Sequence, residues 1–111
     1  MIFHVASPDE WASAQSAGEY RRSTRGLSLE DVGYIHCSRH EQVAGVLSAF
    51  YAGAGPLLLL SVDESRLSAE WRVDEVSPGV FFPHVYGPIN LDAVVAVTPL
   101  TPADDGGYVL P

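Results

Sequence analysis

Three histidines and a tyrosine stand in short apolar runs of this sequence. His84 and Tyr86 lie two residues apart in the segment Phe82 to Pro88, and His4 and His36 occupy two similar runs. A neutral imidazole can donate or accept a hydrogen bond, and it can act as an acid or a base near neutral pH. We therefore expect these residues to line a polar cleft that takes a small molecule.

β-Strand alternation would bring further groups beside the histidines. Residues two apart on a strand face the same side of a sheet, which puts His36 with Tyr34 and Ser38. In the strand predicted over residues 70–76, Trp71 and Val73 lie on one face, and Arg72 and Asp74 lie on the other. Glu75 falls on the apolar face with Trp71 and Val73, where a carboxylate could stabilise developing positive charge. The candidate cluster consists of His4, His36, Ser38, Glu75, His84 and Tyr86.

Two helices are predicted to help position this cluster, both in the N-terminal half of the chain. Ser7 begins a capping box that predicts a helix over residues 8–17. Ser38 begins a second box. The apolar residues Val43, Val46, Leu47 and Phe50 follow at helical spacing and predict a helix that ends near Gly53. Residues 19–32 show no clear period, so we expect a loop there.

The predicted strands define an α+β fold. They cover residues 2–5, 33–37, 57–62, 70–76 and 92–97, and the last of them is expected to be well buried. The alternation of strands and helices stops after Phe50, which favours a single domain with a mostly antiparallel sheet. Residues 1–100 would form this domain, and residues 101–111 would form a loosely held tail.

The composition argues against nucleic acid and membranes as partners. The sequence contains fourteen acidic residues, six arginines and no lysine, which gives a formal net charge of −8. Binding to phosphate backbones or anionic lipid depends on many basic side chains. No apolar run approaches the ~20 residues that cross a bilayer, and no basic region precedes an apolar segment at the start. We expect a cytoplasmic protein, and the single cysteine fits a reducing compartment.

Two other chemistries use some of the same residues. Three histidines and Glu75 could bind zinc, iron or manganese, but H-x-H and H-E-x-x-H spacings are absent. His36 and His40 are four residues apart, yet a predicted strand-to-helix boundary separates them, so no metal is expected. Cys37 precedes a predicted helix N-terminus, which would lower the pKa of its thiol, but alternation points it away from His36. A small buried residue is the better interpretation of Cys37.

Several motifs along the chain carry a resemblance to a known family. They are His4, Trp11, Gly18, Tyr20, Ser28-Leu29, Gly33-Tyr34-Ile35-His36-Cys37-Ser38, Gln42, Glu75 and Phe82-Pro83-His84-Val85-Tyr86-Gly87. With these motifs the chain resembles the bacterial family catalogued as domain of unknown function nine hundred and fifty-two. The resemblance extends to about Pro99, and Tyr34 stands where that family usually carries phenylalanine.

The resemblance implies an ADP-ribosyltransferase-like fold, in which a split antiparallel sheet surrounds an NAD-type cleft. It implies that His4 holds the nicotinamide ribose and that His36 belongs to the second-strand motif. Glu75 is the candidate for the third motif, with His84 and Tyr86 as alternatives. The implied reaction is substitution at the ribose carbon that bears nicotinamide, where a carboxylate stabilises oxocarbenium character.

These inferences lead to one expected function and two alternatives. The expected function is binding of NAD, with transfer of an ADP-ribosyl or related group. In that interpretation the catalytic residues are His36, Glu75, His84 and Tyr86, and the ligand-binding residues are His4, Tyr34 and Ser38. One alternative is a non-catalytic module that binds a small molecule or nucleotide in the same cleft, and the other is a metal-dependent enzyme. Removal of RNA phosphate, as in related phosphotransferases, ranks lower because of the negative net charge.

Overall fold

The computed structural model describes residues 1–111 as one small domain of mixed strands and helices. In chain order the elements are β1 (Ile2–Ala6), α1 (Pro8–Ala17), β2 (Glu19–Tyr20), β3 (Arg22–Thr24), β4 (Leu27–Ser28), α2 (Leu29–Val32), β5 (Ile35–His36), α3 (Val43–Phe50), β6 (Leu57–Val62), β7 (Trp71–Ser77), β8 (Val80–Val85), β9 (Ile89–Asn90), β10 (Val94–Pro102) and β11 (Tyr108–Val109). None of the helices combines the length and the apolar character that a membrane span requires.

Two antiparallel sheets form the framework of the domain. The larger has the strand order β1-β6-β10-β11, and the smaller has the order β5-β8-β7. They meet where Phe3 and Ser38 exchange two backbone hydrogen bonds of 2.8 Å. This junction makes one split sheet and brings β1 and β5, which each carry a histidine, next to each other. The expected domain of mixed helices and mostly antiparallel strands is confirmed.

The first helix forms as its local sequence predicts. The Ser7 side chain accepts a hydrogen bond from the backbone of Glu10, and the Glu10 carboxylate accepts one from the backbone of Ser7. These bonds satisfy amide groups that a helix N-terminus leaves unpaired. Gly18 ends the helix at a φ of 89°, a left-handed conformation that favours glycine. The predicted helix over residues 8–17 is therefore confirmed.

The prediction of a loop over residues 19–32 is wrong. This stretch contains three short strands and the helix α2. Ser28 and Asp31 form a capping box there, a signal that the sequence contains. The strands are only two or three residues long, too short for a period to be recognised. They pair because tertiary packing supplies their partners.

The predicted capping role of Ser38 is also wrong. The main chain of Ser38 is bonded to β1, so the extended backbone continues past the expected helix start. The chain then forms a 3-10 turn over His40–Gln42, and α3 begins at Val43. A capping interaction exists one residue later, where Gln42 Oε1 accepts from the backbone amide of Arg39 at 2.9 Å.

Two apolar clusters share the core of the molecule. One lies around Tyr20, Ile35, Leu60 and Val85, and the other packs α3 against β6. The central strand β6 is buried as expected, whereas β10 is less buried than expected because Val95 and Val97 are exposed. The last residues contact the domain through Tyr108, whose hydroxyl donates to the backbone carbonyl of Gly55 at 2.9 Å.

Candidate functional site

His84 is the centre of the polar cluster on the smaller sheet. It lies on β8, directly opposite His36 on β5, and its side chain is buried, with 2% of its surface exposed. Nδ1 of His84 is 2.7 Å from Oδ2 of Asp74 on β7. Nε2 is buried and has no hydrogen-bond partner in the protein. One ring nitrogen is therefore held by a carboxylate, and the other is free.

Asp74 joins His84 to Tyr86. Its Oδ2 accepts hydrogen bonds from the Tyr86 hydroxyl and from His84, and these bonds lower the pKa of the Asp74 carboxyl. The hydrogen bond from the Tyr86 hydroxyl to Asp74 raises the pKa of Tyr86, because it stabilises the protonated phenol, and the charge of the carboxylate acts in the same direction. Arg72 lies over the Tyr86 ring at 4.4 Å from its centroid. The carboxylate is thus held ionised between two donors, with a cation nearby.

A small cavity lies beside this cluster, between the β3–β4 hairpin and the end of α3. Its volume is about 140 Å³, and its aromatic walls are Tyr34, His36 and Phe50. Phe50 is 54% exposed although it is a large apolar residue. Ser23 and Thr24 add hydroxyl groups to the lining. The cavity therefore offers planar apolar surfaces with a few polar groups, as sites for small ring-containing ligands do.

Tyr34 separates the cavity from His84. Its ring stacks on the His84 ring with a centroid distance of 4.0 Å and an interplanar angle of 15°. The Tyr34 backbone is held because its carbonyl accepts from the Ser23 hydroxyl at 2.5 Å. No protein group forms a hydrogen bond with the Tyr34 hydroxyl. The ring is therefore positioned by packing alone.

His36 is a neutral imidazole on the cavity wall. Burial lowers its pKa to about 4, and the nearby His4 and His84 contribute in the same direction. Its ring lies 5.0 Å from the Phe82 ring and 5.7 Å from the His84 ring, measured between centroids. At pH 7 this ring can accept one hydrogen bond and donate another without carrying charge.

His4 has a different environment from the other two histidines. Its Nδ1 donates to the backbone carbonyl of His36 at 2.6 Å, so its Nε2 accepts from the Tyr20 hydroxyl at 2.9 Å. Burial lowers the pKa of His4 to about 4. Both nitrogens are satisfied within the core, and the ring supports the backbone of His36 without lining the cavity.

Glu75 does not lie with the histidines in the structure. The prediction that Glu75 and His36 belong to one cluster is therefore wrong. Glu75 pairs with Phe81 near the hairpin end, and its Oε2 accepts from the backbone amide of Gly79 at 3.1 Å. The alternation of β7 was predicted correctly, but pairing with β8 puts Asp74, and not Glu75, on the side of His84. The carboxylate of the cluster is therefore one residue earlier.

Ser38 and Cys37 belong to the framework of the sheet. Ser38 is buried at the junction of the two sheets, and its hydroxyl makes no hydrogen bond to any histidine. Cys37 is fully buried in the apolar core, where burial raises the pKa of its thiol. Such a thiol is a poor nucleophile, in agreement with its interpretation as a small buried residue.

No group of three or more histidine, cysteine, aspartate or glutamate side chains is arranged to hold a metal ion. Both nitrogens of His4 are already bonded, and Glu75 lies on the opposite face from His84. The three histidines and Glu75 therefore do not come together as ligands for one metal ion.

The two largest depressions of the molecule lie elsewhere and carry less chemistry. One of about 500 Å³ lies between α3 and the segment Asp105 to Leu110, and it is lined mainly by small residues. Another of about 400 Å³ lies beside α1, where Arg21 and Arg22 are already paired with Glu19 and Glu10. Neither contains a histidine, a tyrosine with a free hydroxyl or an unpaired buried group.

Sequence reasoning missed two residues of this site. Asp74 was assigned to the strand face opposite Glu75 and was not connected with His84. Phe50 was interpreted as part of the apolar stripe of a helix, although it is the last helical residue and lies half in solvent. Asp74 could have been found from the sequence, because it is a carboxylate on the same strand face as Arg72. No feature of the local sequence distinguishes Phe50 from other apolar helix residues.

Comparison with known families agrees with the motifs described above. The family model described as "Protein of unknown function (DUF952)" matches residues 5–97. This match covers most of the chain, and the protein belongs to that family. No curated protein matches the sequence.

Solved structures of one bacterial protein share the fold. The crystal structure of protein CC0527 from Caulobacter crescentus is 28% identical, with a TM-score of 0.87 over 98% of this chain and 93% of that one. A crystal structure of its double mutant gives 27% identity and a TM-score of 0.86 over 98% and 93% of the two chains. The solution NMR structure of CC0527 gives 27% identity and a TM-score of 0.73 over 96% and 89%.

Proposed function

We propose that this protein binds NAD or a related nicotinamide nucleotide, with the nicotinamide ring in the cavity beside His36. The observation that carries the proposal is the cavity itself. Its volume of about 140 Å³ is well below the ~300–1,000 Å³ of sites that enclose a drug-sized ligand. It suits one substituted ring between Tyr34 and Phe50, and the rest of a dinucleotide would lie along the surface.

Arg25 supplies a positive charge next to two residues that line the cavity, Thr24 and Phe50. It lies in the turn between β3 and β4, and its Nη1 is 3.4 Å from the backbone carbonyl of Phe50. The side chain is exposed and has no acidic partner within ion-pair distance. A chain with a net charge of −8 needs such a local cation to bind a diphosphate. Arg25 is therefore the proposed contact for the phosphates of the nucleotide.

The ADP-ribosyltransferase-like assignment is part of the same proposal. It is supported by the split antiparallel sheet, whose two parts meet beside β1 and β5. By the resemblance, His4 is the histidine of the first-strand motif and His36 belongs to the second-strand motif. In the structure, His4 Nδ1 bonds the backbone carbonyl of His36. In this structure His36 is the one that reaches the cavity, so it is proposed to contact the ligand, and His4 is proposed to position His36.

Transfer of an ADP-ribosyl group is the second candidate function, and Asp74 is the residue that favours it. The bond between ribose C1′ and the nicotinamide nitrogen would break, and its electron pair would leave with nicotinamide. The lone pair of an acceptor would form the new bond to C1′, and the acceptor proton would pass to solvent. An ionised Asp74, bonded to His84 beyond the Tyr34 wall of the cavity, would stabilise the oxocarbenium character of C1′ through space.

Titration of the isotope-labelled protein with NAD tests the binding proposal. We expect the ring signals of His36 and Phe50 to shift, with saturation in the millimolar range or below. An absence of shifts at millimolar NAD would contradict it.

Two substitutions of exposed apolar residues make the test specific. Phe50→Ala removes a cavity wall, and we expect it to weaken NAD binding roughly tenfold, since aromatic stacking contributes ~1–3 kcal/mol per base. Val95→Ala is the matched control, because Val95 is also exposed and lies outside the cavity. Equal effects of both substitutions would argue against the aromatic cavity as the site.

Release of nicotinamide separates a transferase from a binding module. If the protein transfers ADP-ribose, nicotinamide should accumulate with time, and Asp74→Asn should reduce the rate by about tenfold or more. If it is a binding module, NAD should raise the melting temperature without any release of nicotinamide.

A further inference from the structure

Strand β7 lies at an open edge of the smaller sheet. The strand order β5-β8-β7 gives it a neighbour on one side only, and most of its side chains are exposed, Val73 by 48%. An edge strand with unpaired backbone groups is a template for a further strand. We propose that two copies of this protein pair along β7, antiparallel and about a two-fold axis at Val73. The three strands of each copy would then form one sheet of six.

The pairing with β8 shows which backbone groups of β7 are unpaired. Pro83 has no N–H, and its carbonyl accepts from the backbone amide of Cys37 on β5 at 3.0 Å, so its main chain faces away from β7. Val73 lies directly opposite Pro83. Hydrogen bonding alternates along an antiparallel pair, so Val73 turns its own N–H and C=O to the outside. By the same alternation the backbone groups of Trp71 and Glu75 also point outward.

The other residues of β7 direct their backbone groups to β8. The carbonyl of Glu70 accepts from the backbone amide of Tyr86 at 2.8 Å. Arg72 and Asp74 follow Glu70 at two-residue steps, so they face β8 as well. A second strand could therefore bond only the groups of every other residue of β7.

One antiparallel register satisfies the outward groups and also matches the charges. With Val73 opposite Val73 of the partner subunit, Trp71 lies opposite Glu75 of the partner subunit, and their outward groups can bond each other. Arg72 then lies opposite Asp74 of the partner subunit. This is a non-hydrogen-bonded pair, in which the Cα atoms are only about 4.5 Å apart, and the two-fold axis repeats it. The side chains of Arg72 and Asp74 are 54% and 30% exposed, so both are open to such a contact.

Neighbouring registers lack this match. A shift of two residues places either Arg72 opposite Arg72 of the partner subunit or Asp74 opposite Asp74 of the partner subunit, and like charges directly opposite each other are destabilising. A shift of one residue places outward groups opposite inward groups, which cannot bond. The strand is therefore complementary to itself in one register, and this favours a second copy over an unrelated peptide.

The pairing would also bring a residue of one copy to the histidine cluster of the other. Asp74 Oδ2 accepts from His84 and from Tyr86 in its own chain. Arg72 of the partner subunit would lie beside the same carboxylate, and its positive charge would favour the ionised form. The two candidate sites of the dimer would thus lie on either side of the shared strand pair.

Amide hydrogen exchange at rising protein concentration tests the pairing on the unmodified protein. The amides of Trp71, Val73 and Glu75 should exchange at least about tenfold more slowly in the dimer. The amides of Arg72 and Asp74, which face β8, should be protected at every concentration. Sedimentation should show twice the 11.9 kDa mass of the chain where this protection appears. A monomer at millimolar concentration, with all three outward amides exchanging fast, would overturn the inference.

Two substitutions at Val73 test the surface. Val73→Pro removes an amide that points outward and makes no bond to β8, so the chain should fold and stay monomeric. Val73→Thr keeps the amide and the β-branched shape, and it should still form the dimer. A dimer that survives Val73→Pro would show that another surface is used.

Two substitutions of exposed arginines test the register. Arg72→Glu places a carboxylate opposite Asp74 of the partner subunit, and we expect the dimer to dissociate about tenfold more readily. Arg66→Glu is the matched control, because it changes the net charge equally at an exposed arginine outside β7. The dissociation constants of the two variants, measured by sedimentation, should differ. Equal effects would overturn the pairing of Arg72 with Asp74.

Discussion

His4 and His84 are two buried histidines in similar strands, yet their surroundings differ in one respect. His4 is 3% exposed and His84 is 2% exposed, so burial does not distinguish them. Both nitrogens of His4 have protein partners, whereas His84 has a partner only at Nδ1. A histidine with two partners stabilises the fold, whereas the unpaired nitrogen of His84 makes that residue a candidate for contact with a ligand.

The two histidines also differ in what lies next to them. His4 is in contact with Tyr20 inside the larger apolar cluster, away from the cavity. His84 is separated from a cavity only by the Tyr34 ring. The comparison identifies His4 as a structural residue and leaves His84, with its unpaired nitrogen, as the candidate for a functional role.

The largest expected effect is on stability, when each ring is replaced by phenylalanine. His4→Phe leaves the His36 carbonyl and the Tyr20 hydroxyl buried without partners, and we expect a loss of about 2–5 kcal/mol in the free energy of unfolding. His84→Phe leaves only half-buried Asp74, which keeps its bond to Tyr86 and contacts water, so the loss should be about 1 kcal/mol. Urea unfolding of both variants measures the difference, and equal losses would contradict the distinction.

The second effect is a dependence of stability on pH. The pKa values of His4 and His36 are about 4 in the folded protein, against a value of 6.5 when exposed. Between those values the unfolded state binds more protons, so the free energy of unfolding should fall as the pH is lowered from 6.5 toward 4. Each histidine contributes about 1.4 kcal/mol per pH unit in this window.

Urea midpoints measured across that window check the pH prediction. His36→Phe should reduce the slope by about half, since one of the two titrating rings is lost. His40→Phe should leave the slope unchanged. A wild-type stability that does not vary over the window would show that neither histidine is held neutral by burial.

The third effect compares two adjacent carboxylates and concerns ligand binding. Asp74→Asn removes a negative charge that would attract the cationic nicotinamide ring of NAD, and we expect NAD to bind about fivefold more weakly. Glu75→Gln should change the affinity by less than about twofold, because Glu75 only bonds the turn amide of Gly79 and an amide oxygen can do the same. Isothermal titration of the two variants side by side is the measurement. A larger effect of Glu75→Gln would restore Glu75 as the site carboxylate.

The last effect concerns the backbone that places Tyr34. Gly33 ends α2 with a φ of 95°, and Gly33→Ala should cost about 1–2 kcal/mol because a side chain disfavours this conformation. Gly45→Ala is the control, since Gly45 lies inside α3 with open space around its Cα, and it should be neutral or slightly stabilising. Thermal unfolding compares the two, and similar shifts in melting temperature would contradict the conformational argument.

Much of the framework could be predicted because its signals are local. The capping box at Ser7 and the alternation of Trp71 to Asp74 depend on residues close in sequence, and both are confirmed. The Ser38 prediction failed although its local signal is equally good. A backbone bridge to Phe3, 35 positions away in the sequence, occupies the main chain of Ser38 instead.

The candidate site could be predicted only in part. Its histidines and tyrosines stood out as polar groups in apolar runs, and His36, His84, Tyr34 and Tyr86 do lie together. The choice between Asp74 and Glu75 depends on which face of β7 meets the His84 side of β8. Alternation defines two faces but does not say which of them borders a cavity.

The sequence by itself determined the family, the two-residue periodicity of the strands and the residue types available for chemistry. Only the tertiary structure decided that His4 is satisfied and that His84 retains a free nitrogen. The partners of these rings are 10, 16 and 32 positions away in the chain. Hydrogen bonding requires contact within a few ångströms, and such contacts between distant segments arise only when the sheets assemble.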